Sequence, residues 1–329
     1  MMDDKQMDAL AKKLVTDPLA KKALKDNDAG SLVRLMSNNP EFTKGLTPEE
    51  KDILNALAND AEISEQDISD ALANLADTDP DVVMEAASFL TNGVMDGEIA
   101  FNQQKRIVRT VLQQKRLYQN IDQPDDNRGA YPRMAAALIA ELLLGLDSGT
   151  QAIMTAPQRS QFFTWAETYV LKEKNQTALT ETSESARTLA WGLLMSAYLH
   201  PLYPQDKLNQ LSNEVLAFLH NFDTVFMDGE TAAIARVFYV LAARKRMSAG
   251  DLLSQIKKVT EKLNGERDEQ KAPTVFRSDA WYRVLSILAY TLQDADHYRQ
   301  VRKYINAVLT DYYQKDLAFA FKTDFPVQK

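Results

Sequence analysis

Of the side chains that carry most protein chemistry, this sequence offers carboxylates in abundance and little else. It has no cysteine, which excludes disulfides, thiolate metal sites and cysteine nucleophiles. Its three histidines, His200, His220 and His297, fall in no H-x-x-x-H or H-E-x-x-H spacing, the arrangement that sets two imidazoles on one helix face around zinc. His200 and His220 stand at expected C-terminal helix ends, where the dipole favours an imidazolium, and His297 begins the last expected helix; capping or surface roles are expected of all three. No G-x-x-x-x-G-K-[ST] or G-x-G-x-x-G loop is present to cradle phosphates, and no G-x-S-x-G elbow to expose a serine. The 46 Asp and Glu residues generate acid–base pairs at many spacings, so spacing singles out none. The residues thus point to no catalytic group, no metal and no cofactor.

Charge is distributed unevenly. The net charge of −8 disfavours nucleic acid, because phosphate neutralisation requires clustered Lys and Arg. Between Glu41 and Glu98 stand 15 acidic residues against Lys44 and Lys51; between Arg236 and Lys315 stand 15 basic against 9 acidic. Solvated helix faces account for this pattern, and head-to-tail self-association through 41–98 and 236–315, or a basic partner, is the sharper expectation. Lys105, Arg106, Arg109, Lys115 and Arg116 lie on one expected helix without an acid, a solvated or anion-facing surface. The Tyr and Arg residues interleaved between Tyr282 and Tyr313 fit core-edge tyrosines better than a base-stacking surface.

The elements that must position these groups are helices. Thr47-Pro48-Glu49-Glu50 is a capping box with Pro at the first helical position, and Ser64-Glu65-Gln66-Asp67 is a looser one. Asp79-Pro80-Asp81 and Ser248-Ala249-Gly250-Asp251 open further helices. Apolar residues recur at helical spacing, as in Ile68, Leu72, Leu75 and in Leu252, Ile256, Val259, Leu263. About fifteen helices joined by short connectors are expected, hence an all-α fold of stacked antiparallel hairpins. The segments 205–220 and 100–117 each read as one helix. Met134–Leu144 and Leu189–Leu199 are apolar nearly all round, which places them at the centre of a domain. Met95-Asp-Gly-Glu-Ile-Ala and Met227-Asp-Gly-Glu-Thr-Ala echo one another, as two interhelix turns or a duplicated hairpin.

Residues 1–62 read as an N-terminal helical extension docked on a core domain over 63–329. The opening MMDDKQMDAL is acidic and lacks the apolar core of a secretory leader. The longest apolar run, Met134–Leu146, is too short for a membrane span. A cytoplasmic location is expected.

From Ser64 to about residue 260 the order of features resembles the bacterial domain-of-unknown-function 2785 family. Leu72-Ala-Asn-Leu-Ala-Asp-Thr-Asp-Pro-Asp is similar to its opening helix junction, Tyr131-Pro-Arg-Met-Ala-Ala-Ala-Leu to its Arg-containing helix, and Glu184-Ser-Ala-Arg187 to its Glu-x-Asp-Leu-Arg-Gly step. Trp191 falls in its tryptophan helix, and Gly229-Glu230 resembles its later helix start. Leu193 and Ala197 occupy that helix's two histidine positions, and Thr188 replaces a glycine. The resemblance implies a HEAT-like α-α superhelix without established activity, and suggests a groove near Arg133, Glu184, Arg187, Trp191 and Glu230. Glu184 and Arg187, three apart, also have the spacing of a simple helix pair.

The expected function is a non-catalytic scaffold binding a protein or peptide. The alternative is an enzyme or small-ligand binder built on carboxylates, Arg and Trp. A deep pocket with converging carboxylates or one strongly shifted acid marks the second, a shallow surface groove the first.

Overall fold

The computed structural model describes residues 47–48, 51, 63–77, 79–123, 127–149, 152–176, 185–222, 225–267 and 272–315. Among them there is no β-strand, and the all-α class holds. Most of the expected extension over 1–62 lies outside the described residues. The chain divides into two compact units, Met1–Asp77 with Asp81–Thr110, and Thr78–Pro80 with Val111–Lys329.

In the first unit, Lys51 N donates to Thr47 O (3.0 Å), opening the turn that the Thr47-Pro48 cap announces. Helix α1 (Glu65–Asn74) starts on the second cap: Asp67 N donates to Ser64 Oγ and Ser64 N to Asp67 Oδ2, both at 3.1 Å. Helix α2 (Pro80–Met95) begins on its proline, and α3 (Phe101–Gln114) follows. Ile68, Leu72, Val83, Leu90 and Ile107 are buried, as their helical spacing requires. The cationic face of α3 is not wholly solvated, since Arg106 pairs with Glu65 and donates to Ser69 Oγ (2.6 Å).

The two Met-Asp-Gly-Glu segments each precede a helix but do different work. The first ends α2: Gly97 takes φ +77° and Glu98 N donates back to Gly93 O (2.7 Å), the six-to-one bond of a Schellman turn. The second starts a helix, with Met227 N donating to Glu230 Oε2 (3.0 Å).

The second unit holds a 3₁₀ turn (Arg116–Tyr118), then α4 (Asn127–Asp147), α5 (Ala156–Lys172), α6 (Ala186–Leu199), α7 (Gln205–Leu208), α8 (Leu211–His220), α9 (Asp228–Ala243), α10 (Ala249–Arg267), α11 (Ala272–Thr291) and α12 (Arg299–Lys315). They form two rows. Helix α4 packs on α6, α6 on α9 and α9 on α11; in the other row α5 packs on α8, α8 on α10 and α10 on α12. Contacts of α5 with α6, of α10 with α11 and of α11 with α12 join the rows. Short connectors make sequential helices antiparallel, so each row takes one helix from each successive hairpin.

The two apolar segments are the middles of α4 and α6, buried against one another. At Gly192 of α6 the two helices meet through the Glu141 side chain, whose Oε2 would lie 2.7 Å from a Cβ at that position. Within α4, the stretch Gly129–Asp147 is long and apolar enough to cross a membrane, more than the uninterrupted run suggested. Its window is 67% buried inside the unit.

The single helix expected over 205–220 is broken. Gln210 leaves helical geometry (φ −104°, ψ 2°), and Gln255 of α10 fills the gap by accepting from Ser212 N (2.8 Å) and donating to Asn209 O (2.6 Å). Periodicity missed the break because Leu208 and Leu211 stay buried on either side of it.

Candidate functional site

The charged residues of the second unit converge in three places. At one end of the rows, Arg133 of α4 is fully buried and grips Glu173, just past α5, by Nε–Oε2 (2.6 Å) and Nη2–Oε1 (3.0 Å). Its Nη1 donates to Gln119 O (2.8 Å) and Gly129 O (2.9 Å), while Tyr169 Oη and Asn175 N donate to the carboxylate. Burial opposes the Arg133 charge, but Glu173 outweighs it and raises the pKa.

Beside it, Arg187 of α6 faces Glu230 of α9, Nε to Oε1 at 2.9 Å, both at most 1% exposed. Its guanidinium lies over the rings of Phe222 (3.7 Å), Phe218 (5.1 Å) and Phe226 (5.2 Å). Burial lowers its pKa to about 10, against the raising influence of Glu230 and Glu173, so it remains a cation at neutral pH. Trp191 stands edge-on to Phe218 (5.1 Å), fully buried. The structure therefore joins Arg187, Trp191 and Glu230 in one cluster and pairs Arg133 separately; Glu184 lies outside the described residues. None of the four lines either surface cavity described below.

At the opposite end, Asp147 closes α4. It accepts from Arg159 Nε (2.5 Å), Met154 N (2.8 Å) and His200 Nε2 (3.1 Å). A buried Asp–His pair is the geometry of a catalytic dyad, but His200 Nδ1 already accepts from Leu202 N (3.2 Å). That bond fixes the tautomer and occupies the nitrogen a general base would use. His200 caps α6, as expected, yet is only 1% exposed rather than at the surface. His220 ends α8 and meets Glu266 (2.8 Å), and His297 is exposed. Arg246 extends this end by donating to Tyr198 O and His200 O (both 3.2 Å).

The third cluster joins α5, α6, α7 and α8. Lys207 Nζ donates to both oxygens of Glu167 (2.7 and 2.9 Å), and Tyr203 Oη to Glu167 Oε1 (2.7 Å). Glu214, half-buried nearby, is pushed up to about 7 by burial and by the Glu167 charge, with Lys207 acting in the other direction. Neither glutamate is marked by a motif.

Among the described residues of the second unit, two open surface cavities stand out. One, of about 540 Å³, is lined by Leu112, Gln113, Lys115, Tyr118, Pro157, Gln158, Gln161 and Trp165. Tyr118 and Trp165 meet edge-to-face at 6.3 Å, and Tyr118 Oη is held by Thr168 (2.5 Å). No carboxylate lines it. The other, of about 680 Å³, runs along α10 over Lys257, Lys258 and Lys262. Among the described residues, no three His, Cys, Asp or Glu side chains converge as metal ligands.

Comparison with curated proteins and with solved structures yields no match. Residues 117–289, just over half of the chain, match the sequence model of the family described as Protein of unknown function (DUF2785). The matched span begins beyond the Leu72 junction and reaches further towards the C-terminus than the resemblance, taking in α4 to α10 and nearly all of α11. The positions that resembled the family's histidines, Leu193 and Ala197, are fully buried core of α6. Two rows of helices, pinned at both ends by buried ion pairs, are thus the form that the matched span takes in this chain, which belongs to the DUF2785 family.

Proposed function

We propose that this chain is a non-catalytic scaffold whose helical hairpins, stacked as a HEAT-like superhelix, bind a protein or peptide. The cavity between the 3₁₀ turn and α5 carries this reading. Aromatic edges, a proline and three glutamines offer an extended peptide apolar contact and neutral hydrogen bonding, with Lys115 as the one charged lining residue. Arg133, Arg187 and Glu230 are buried in ion pairs between helices, which supports a surface cavity rather than these residues as the contact. A cytoplasmic site of action in a bacterium is part of the reading, supported by the lack of cysteine and the family resemblance. Charge complementarity between 41–98 and 236–315 supports self-association as a second mode of contact.

A photo-crosslinking residue placed at Gln161 tests the cavity in living cells. A discrete crosslinked polypeptide that disappears when Trp165 is replaced by Ala is expected, provided circular dichroism shows the variant folded. Absence of any discrete product at Gln161, Gln158 and Gln113 would reject the reading. For self-association, light scattering over a salt series should show a dimer dissociating as salt screens the charges.

A further inference from the structure

We infer that the peptide taken by the cavity between the 3₁₀ turn and α5 is acidic, with carboxylates meeting Lys115 and Lys172 and an apolar side chain against Leu112, Pro157 and Tyr118. This deepens the scaffold reading and rests on it.

The walls of the cavity offer donors. Gln158 Oε1 is taken by Thr155 N (2.8 Å) and Thr155 Oγ1 (3.0 Å), which leaves its amide N–H groups for a ligand. Lys115 follows α3 in the left-handed region, at φ +48°, and its exposed side chain lines the cavity. Lys172, also exposed, holds its Nζ 5.4 Å from the centre of the Tyr118 ring. Among the described residues neither lysine has a carboxylate partner. An ammonium brings three donors and no acceptor, so a ligand that suits these walls brings acceptors and negative charge.

The other charges of α5 are engaged elsewhere. Arg159 is held by Asp147, and Glu167 by Lys207 and Tyr203. Glu173, just past the helix, is gripped by Arg133. From Ile99 to Ile121 the sequence has no Asp or Glu. The cavity is therefore bordered by cations in a chain whose net charge is −8. Such a local reversal of sign selects a partner of the opposite charge. A single nucleic-acid strand also carries acceptors, but it binds by stacking bases on open ring faces. Here Trp165 is only 5% exposed, and Lys172 lies over Tyr118. Carboxylates on a peptide fit the arrangement better than phosphates on a stacked strand.

Selection of a random dodecapeptide library on the immobilised full chain tests this, with Gln161→Trp, which narrows the cavity from an exposed position, as the control. Peptides that bind the unaltered chain and not Gln161→Trp should be rich in Asp and Glu. In fluorescence anisotropy, replacing their acids by Asn and Gln should raise Kd about threefold to tenfold, and Lys115→Gln combined with Lys172→Gln should raise it as much. Both differences should shrink to less than about twofold at about 0.5 M salt. Cavity-dependent peptides that are neutral or basic, or that bind the lysine variant equally well, overturn the acidic assignment and leave the cavity reading standing. Recovery of no cavity-dependent peptide rejects both. Displacement of an acidic peptide by an equal concentration of oligothymidylate assigns the lysines to phosphate and overturns the assignment as well.

Discussion

The Arg187 guanidinium lies 3.7 Å from the centre of the Phe222 ring while its Nε stands 2.9 Å from Glu230 Oε1. One fully buried cation is thus held by a π-face and by a carboxylate from the next hairpin of the same row. Removing one member leaves the other charged and dry. Arg187→Met or Glu230→Gln should each destabilise by about 3–5 kcal/mol in denaturant titrations. The double variant should lose clearly less than the sum, since no isolated charge remains.

The Asp147–His200 pair sets an acid-side limit. Burial, with Arg159 adding to it and Asp147 opposing, lowers the His200 pKa from its ordinary 6.5. The folded state therefore favours neutral imidazole. Its contribution is complete above about 6.5 and is lost as pH falls through the lowered value. His200→Gln should flatten the stability profile just below 6.5. A further loss belongs to Asp147, whose pKa lies below 3.8 because Arg159 and Met154 N outweigh burial. That lower flank should persist in the variant, as acid titrations followed by circular dichroism would show.

Glu214 acts in the opposite sense. Its folded pKa of about 7 exceeds the ordinary 4.5, so folding favours the protonated acid. This contribution is complete below 4.5 and is lost as pH rises through about 7. The Tm of Glu214→Gln relative to the unaltered protein should climb between about pH 5 and pH 8 and then level off. A constant offset would show that Glu214 does not titrate there.

Gln255 bridges the break between α7 and α8. In Gln255→Leu the buried Ser212 N–H loses its acceptor, while the exposed Asn209 carbonyl can turn to water. A loss of about 1–3 kcal/mol is expected in urea unfolding. Gln255→Glu keeps the acceptor for Ser212 and should cost less than Gln255→Leu.

The helices and their order were legible because caps and apolar spacing are local signals. Ser64 with Asp67, Pro80 and the stripe from Leu252 to Leu263 each specify an element without outside help. The apolar middles of α4 and α6 likewise announced the centre. What pairs with what was not legible. Glu173 and Asp147 look like any of the other carboxylates until α4, α5 and α6 are side by side. Glu214 acquires its character from burial and from Glu167 on another helix, neither of which leaves a mark in sequence. The break at Gln210 was hidden for the same reason, since its repair comes from 45 positions downstream. Family resemblance did find Arg133, Arg187, Trp191 and Glu230, but not the buried ion pairs that hold the three charged ones.

The buried ion pairs also bear on how the second unit folds. Stacked hairpins with neighbour-only contacts can in principle form one at a time, from any starting point. Here the Arg187 charge belongs to one hairpin and its Glu230 counterion to the next. A partly assembled array must therefore bury an unpaired charge or keep its frontier open to water. Either choice raises the free energy of intermediates relative to the completed rows. The second unit should therefore unfold in a single step rather than hairpin by hairpin.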